Sequence, residues 1–351
     1  MGTMPKLYLI DASAYFYRAF FALPPLTTSG GLPINAIYGF TTMLQKLMAD
    51  HQPKYLAAVL DRPEPTFRHA VYQDYKANRD EMPDNLSVQI PYIKDVIRGF
   101  NIVALEKPGY EADDIIGTVA LRAAADGAEV VIVSGDKDLF QLVRPGITVL
   151  DTMKDRVFDS QGVLDKYGLG PDQIIDMLGL MGDTSDNVPG VPGIGPKTAV
   201  SLLAQFGSMD GIYEHIESIT KKKVKQNLLE FRDQAYLSRR LVTLDTAVSL
   251  ERSWKDCRVI SPDTEALREL FKQFEFTRLL KGLTPQKKTK KDYRLVGDKA
   301  GIEALIGKLR DLPRFTLDLE TTSADPMRAE IVGISFAWED DRAWYVPVAH
   351  Q

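Results

Sequence analysis

The sequence predicts an α/β fold: a parallel sheet flanked by helices, followed by a mainly helical part and then a fresh α/β start near the C-terminus. Three observations predict it. Short apolar runs without polar alternation fit strands covered on both faces. These runs alternate with stretches of helical spacing, which is the pattern of a parallel sheet. And three runs lead directly into an acid, at Asp11, Asp61 and Asp136. In such sheets ligands bind at the carboxyl ends of the strands, so all three acids fall on the functional edge.

Taken in order, Lys6 to Asp11 reads as a buried strand ending in an acid. Ile34 to His51 carries Ile37, Phe40, Met43, Leu44, Leu47 and Met48 at helical spacing. Tyr55 to Asp61 is a second apolar run, after which Pro63 and Pro65 break regularity. Residues 66–98 are rich in charge. Asp113 to Ala125 reads as a helix stopped by Asp126-Gly127, and Glu129 to Ser134 as a third strand. Ile147 to Leu150 is a further strand. These elements form an α/β part over residues 1–165. Residues 166–283 read as helical, with a Gly/Pro-rich hairpin from Pro189 to Pro196 and a basic run at Lys221, Lys222, Lys223 and Lys225. Residues 284–293 read as a polar linker with Lys287, Lys288, Lys290 and Lys291. Residues 294–351 restart the pattern: a helix near Ile302 to Leu309, then Arg314 to Glu320, then strands at Ile331 to Trp338 and Ala343 to Val348. This last part reads as an incomplete domain.

Composition narrows the chemistry. The net charge of −5 argues against a uniformly basic nucleic-acid coat but leaves room for local basic clusters. Cys257 is the single cysteine, which excludes an intramolecular disulfide and a Cys-based zinc site and suggests a reducing cytoplasm. Leu7 to Ile10 is too short to be a signal peptide or a span, so no membrane partner is expected. With four histidines in the chain, metal binding rests on carboxylates, which favours Mg²⁺ or Mn²⁺ over zinc.

Nine acids fall in five short clusters: Asp11; Asp61; Glu111, Asp113 and Asp114; Asp136 and Asp138; Asp183 and Asp186. Any one of them could simply cap a helix. Gathered at one sheet edge, however, like charges repel by several kcal/mol unless a cation intervenes. Two divalent ions ~4 Å apart can activate a water and stabilise the leaving oxygen of an in-line displacement. Phosphodiester hydrolysis is the natural chemistry for such a set.

Four blocks carry a resemblance: Asp11 to Ala19, Gly109 to Gly117, Ser134 to Asp138, and Gly182 to Ala199. Together they resemble the 5′-nuclease domain of bacterial DNA polymerase I and the flap endonucleases, over about residues 5–285. The resemblance implies a PIN-like 5′-nuclease fold and a structure-specific nuclease that cuts DNA near 5′ ends, nicks or flaps. It implies metal ligation at all nine acids, with two or more Mg²⁺ or Mn²⁺ ions. Asp11, Asp61, Glu111, Asp113, Asp136 and Asp138 would serve one metal. Asp183 and Asp186 would serve the other, with Asp114 in support. A monomer acting on nucleoid DNA in the cytoplasm is the matching expectation. A non-catalytic module that binds DNA structure is the alternative, and loss of an acid would have favoured it.

The same resemblance makes Pro189 to Lys197 a helix–hairpin–helix. Gly190, Gly193 and Gly195 would let backbone N–H groups approach phosphate, Lys197 would add a charge, and K⁺ is often bound there. Residues 66–98 resemble the family's arch. Arg68, Lys76 and Arg79 would grip phosphate, while Tyr72 and Tyr75 would stack on an unpaired base; Arg68 and Tyr75 are equally open to a structural reading. Lys76 and Arg79, at i, i+3 spacing, would share a helical face toward the scissile phosphate, and Arg18 would join them as a catalytic group. Leu317 to Glu320 resembles the first motif of a 3′–5′ exonuclease, with Asp318 and Glu320 on one side of a strand in the start of an RNase H-like domain. The later motifs of such a domain are absent, so no activity is expected there.

Overall fold

A computed structural model of the protein describes residues 4–283, 292–323, 325, 327–339 and 342–348. The chain divides into two units, Met1–Leu283 and Thr284–Gln351.

In the first unit, β1 (Lys6–Asp11), β2 (Tyr55–Val59), β3 (Val103–Leu105), β4 (Glu129–Val133), β5 (Ile147–Asp151) and β6 (Arg156–Phe158) form one sheet. Their order is β3-β2-β1-β4-β5-β6, with every pair parallel except β5–β6. Strand β1 sits between β2 and β4. Its side chains alternate between two cores, which explains why its sequence is apolar throughout. Leu7 and Leu9 pack in one core with Ile115, Ile116 and Val119, while Tyr8 and Ile10 pack in the other with Ile37, Phe40 and Leu44.

The sheet is covered by α1 (Ala12–Ala22), α2 (Asn35–His51), α3 (Phe67–Val71), α4 (Asp84–Ser87), α5 (Ile90–Gly99) and α6 (Ala112–Ala125). The region expected to form an arch is shorter than residues 66–98. Ile93, Val96 and Ile97 of α5 are fully buried in the same core as Leu267 and Phe271, so this helix is part of the scaffold. Its apolar residues recur at i, i+3, i+4, the stripe of a helix packed on a core. Between α3 and α4, residues 72–83 lack regular structure and carry exposed charged groups.

The helical part comprises α7 (Ser160–Tyr167), α8 (Ile174–Met181), α9 (Pro196–Phe206), α10 (Met209–Glu214), α11 (Lys222–Glu230), α12 (Arg232–Val242), α13 (Thr264–Gln273) and α14 (Thr277–Leu283). One buried cluster runs from Leu7 of the sheet through Leu178, Leu203 and Leu228 to Cys257, so the core continues across residue 165. The basic run expected near Lys221 opens α11. Among the described residues no helix is long and apolar enough to cross a membrane.

In the second unit, β7 (Asp292–Leu295), β8 (Thr316–Thr321), β9 (Ile331–Glu339) and β10 (Arg342–Pro347) form a sheet of order β7-β10-β9-β8, and α15 (Lys299–Arg310) lies between β7 and β8 in the chain. Strand β7 is parallel to β10 and the other pairs are antiparallel. The expected linker at 284–293 ends earlier than the sequence suggested, because Asp292 and Tyr293 already pair with β10. Its residues 284–291, including the four lysines, lie outside the described residues. Asp318 and Glu320 stand on β8, an edge strand whose residues are all exposed.

Candidate metal and DNA site

The sheet delivers its acids to one edge. Asp11 closes β1, opposite Val59 of β2, and Ile10 lies opposite Val133 of β4. Asp61 and Asp136 follow two and three residues past the ends of β2 and β4. Asp11 caps α1 by accepting from the Ala14 N–H at 2.9 Å, and its other oxygen accepts from the Ser134 hydroxyl at 2.9 Å. Asp61 accepts from the Ala112 N–H at 2.8 Å, which ties it to the start of α6 beside Asp113. Asp136 accepts from the Asp138 N–H at 2.9 Å. Arg18, two turns further along α1, donates to the Thr152 hydroxyl at 3.4 Å, and its guanidinium lies against Gly135. It therefore stands against the residue that precedes Asp136.

The nine acids separate by what balances them. None of Asp11, Asp61, Asp113, Asp136 and Asp138 forms an ion pair with a described residue. Burial pushes the Asp11 carboxyl up to about 7, aided by the charges of Asp61 and Asp136. Burial and the neighbouring acids also raise Asp113 and Asp138 well above the usual carboxylate range. One oxygen of Asp138 is buried with no hydrogen-bond partner. Mutually repelling carboxylates, a buried oxygen without a donor and hard oxygen chemistry together fit divalent cations. The described residues do not by themselves form a closed cage of three ligands. Asp11, Asp61 and Asp136 instead accept from nearby N–H and hydroxyl groups.

Glu111, Asp183 and Asp186 belong to a second group, each neutralised by a cation of the chain. Lys76 Nζ donates to Glu111 Oε1 at 2.6 Å and lies 3.6 Å from Asp186 Oδ2. Arg79 pairs with Asp186, and Lys137 with Asp183 at 2.7 Å. Burial opposes the Lys76 ammonium, but Glu111 and Asp186 outweigh it and raise its pKa. Burial would also raise Asp183, yet hydrogen bonds from Lys137 and Ser185 hold it below the usual range. Glu111 thus groups with Asp186, not with the acids of the sheet edge.

Several expected roles are corrected by position. Arg68 is only 1% exposed, so it meets no phosphate. Its guanidinium forms a bidentate pair with Asp114 and donates to the Leu241 and Thr243 carbonyls. Asp114, fully buried, spends its oxygens on Arg68, Glu111 N–H and Asp245 N–H, so it orients the start of α6 and ligates no metal. Tyr75 is buried too, and its hydroxyl donates toward Glu111 and Asp186 at 3.2 and 3.1 Å; it has no free face for a base. Tyr72 is half-buried against the core. Lys76 and Arg79 still converge, but through turns and not along a helical face. Lys76 has φ 58°, a left-handed conformation that costs roughly 1–2 kcal/mol for a residue with a Cβ. Ser134 and Lys137 were not singled out from the sequence, although both lie in the Ser134 to Asp138 block.

The hairpin divides in the same way. Gly190 is buried against the Gly182 backbone, and its N–H donates to Ser238 Oγ at 2.9 Å. It closes the hairpin on α8 and α12 and is not a phosphate contact. Gly193 and Gly195 are exposed, and neither N–H donates to another described residue. Gly195 precedes α9, with Pro196 at its first turn and Lys197 exposed beside it. Two free N–H groups, a helix N-terminus and a lysine make an anion-binding corner.

With this geometry in hand, known proteins place the chain. Residues 6–168 match the 5′-3′ exonuclease N-terminal resolvase-like domain, and residues 169–265 the 5′-3′ exonuclease C-terminal SAM fold. DNA polymerase I of Pseudomonas aeruginosa is 41% identical over 98% of this chain, which spans 40% of that protein. A 5′-3′ exonuclease of Aquifex aeolicus is 44% identical over 79% of this chain and 95% of its own length. The bacteriophage T5 flap endonuclease, solved with DNA and metal ions, shares the fold at TM-score 0.57 and 20% identity, covering 79% of this chain and 98% of that one. By both matched domains and by its relatives, the chain belongs to the 5′-3′ exonuclease family.

Proposed function

We propose that the protein is a structure-specific, metal-dependent 5′ nuclease that hydrolyses DNA near 5′ ends, nicks or flaps. We read it as the N-terminal part of a DNA polymerase I-type protein that works as a monomer on DNA in the cytoplasm. The observation that carries the reading is the group of five carboxylates at one sheet edge with no ion-pair partner among the described residues. Family membership supplies the reaction class. The DNA and metal ions of the T5 structure support the choice of partner and cofactor.

Asp11, Asp61, Asp113, Asp136 and Asp138 would hold one Mg²⁺ or Mn²⁺. Asp183 and Asp186, with Glu111, would hold another. Such ions supply charge neutralisation and an activated water for in-line displacement at phosphorus. The chain's own groups do the positioning. Gly193 and Gly195 N–H and Lys197 grip duplex backbone without reading sequence, and K⁺ would add to that corner. Arg18, Lys76 and Arg79 offset charge on the scissile phosphate. The target phosphate would reach the carboxylates once the terminal nucleotides of the duplex end unpair.

A cleavage assay on an end-labelled 5′-flap duplex tests this, with Mg²⁺, with Mn²⁺, with EDTA, and with Asp136→Ala. Short 5′ products that need Mg²⁺ and vanish with the substitution support the proposal. Tight binding without cleavage in either metal overturns it in favour of a non-catalytic binding module.

A further inference from the structure

The turns at 74–79 do more than carry two basic side chains; they are docked on the loop 184–187. The Lys76 N–H donates to the Asp186 carbonyl at 2.9 Å. Asn78 Nδ2 donates to the Thr184 carbonyl at 2.6 Å, and Arg79 Nε to the Ser185 carbonyl at 3.2 Å. From the other side, Asn187 Nδ2 donates to the Asp74 carbonyl at 2.6 Å. The side chains complete the contact. Lys76 lies between Glu111 and Asp186, Arg79 caps Asp186, and the Tyr75 hydroxyl bridges the same two carboxylates.

The two cations that would meet the scissile phosphate are therefore spent on two carboxylates of the metal group. An ammonium held between two carboxylates fills the electrostatic role of a metal ion there, with half the charge of a divalent one. Lys76 keeps this position although its backbone is left-handed, so the docked form is held together by its partners and not by local preference.

We propose that Lys76 and Arg79 act as a metal-released latch: they serve as counter-ions of Glu111 and Asp186 and are freed to face phosphate once a divalent cation takes those carboxylates. The latch makes the two events sequential. Basic groups become available to substrate only after the metal site is charged, so DNA is not gripped unproductively by an empty site. This inference rests on the metal-site reading above.

The test uses the complete chain without DNA. Backbone amide exchange of residues 76–79 is followed with and without saturating Mg²⁺, and Mg²⁺ affinity is measured by calorimetry for the parent, Lys76→Met and Arg79→Gln. Exchange at Lys76 and Arg79 should rise about tenfold with Mg²⁺, the readout of a local opening. Both variants should bind Mg²⁺ more tightly, because a competing cation is gone. Arg79 is half-exposed, so Arg79→Gln keeps the test open if Lys76→Met misfolds. Mg²⁺ binding with unchanged exchange, and with no gain in affinity in the folded variants, overturns the latch and leaves the metal site standing. Absence of Mg²⁺ and Mn²⁺ binding in the parent overturns both.

Discussion

The Arg68 guanidinium and the Asp114 carboxylate face each other through two hydrogen bonds of 2.7 Å, sealed from solvent on both sides. The pair joins α3 to α6, and Arg68 carries the link on to the carbonyls of Leu241 and Thr243. Arg68→Met should cost about 3–5 kcal/mol, because it leaves a buried carboxylate without its cation. Asp114→Asn should cost a similar amount. The double variant Arg68→Met with Asp114→Leu should lose clearly less than the sum, since no unpaired charge remains. Urea unfolding of the four proteins checks this.

Removing a carboxylate from the sheet edge should act on catalysis and not on folding. Asp136 is exposed, and its side chain accepts only a local N–H. Asp136→Ala should lower flap cleavage at least about a hundredfold, the scale of losing one preorganised electrostatic group. Flap binding measured in Ca²⁺ should change little.

Raised carboxyl pKa values tie metal binding to pH. Between their ordinary and their raised values, Asp11, Asp113 and Asp138 are more protonated in the folded chain than in the unfolded one. These groups therefore favour the fold most below their ordinary pKa near 3.8, and this contribution falls as pH rises through the Asp11 value of about 7. A divalent cation reverses the penalty by replacing the protons. The rise in melting temperature on adding Mg²⁺ should be larger at alkaline pH than at mildly acidic pH, and binding should release protons in between. Thermal scans with Mg²⁺ or EDTA, with calorimetry in two buffers of different ionisation heat, measure both.

The hairpin glycines should separate. A Cβ at Gly190 would run into the Gly182 backbone, and Gly190 has φ 61°, so Gly190→Ala should destabilise the fold by about 1–3 kcal/mol or more. Gly195 has open space around it and an ordinary φ of −93°. Gly195→Ala should leave the melting temperature unchanged and weaken duplex binding by hindering approach to its N–H. Lys197→Ala should lower the slope of log affinity against log salt by ~1, as for one lost phosphate contact.

The sequence by itself determined the alternation of strands and helices, the arrival of Asp11, Asp61 and Asp136 at one sheet edge, and the family. Each follows from local pattern: β1 is apolar throughout because both its faces are covered, and its terminal acid sits where a parallel sheet presents its ligands. Which charged groups face water was decided only by the tertiary structure. Arg68 and Lys76 look alike in a charged stretch, yet one is sealed against Asp114 and the other lies between Glu111 and Asp186. Gly190 and Gly195 look alike in one hairpin, yet one packs on Gly182 and the other lies open. The partners that separate them are distant in sequence: Asp114 for Arg68, Asp186 for Lys76, Ser238 for Gly190. Burial and ion pairing are properties of that long-range packing, and no local spacing of residue types encodes them.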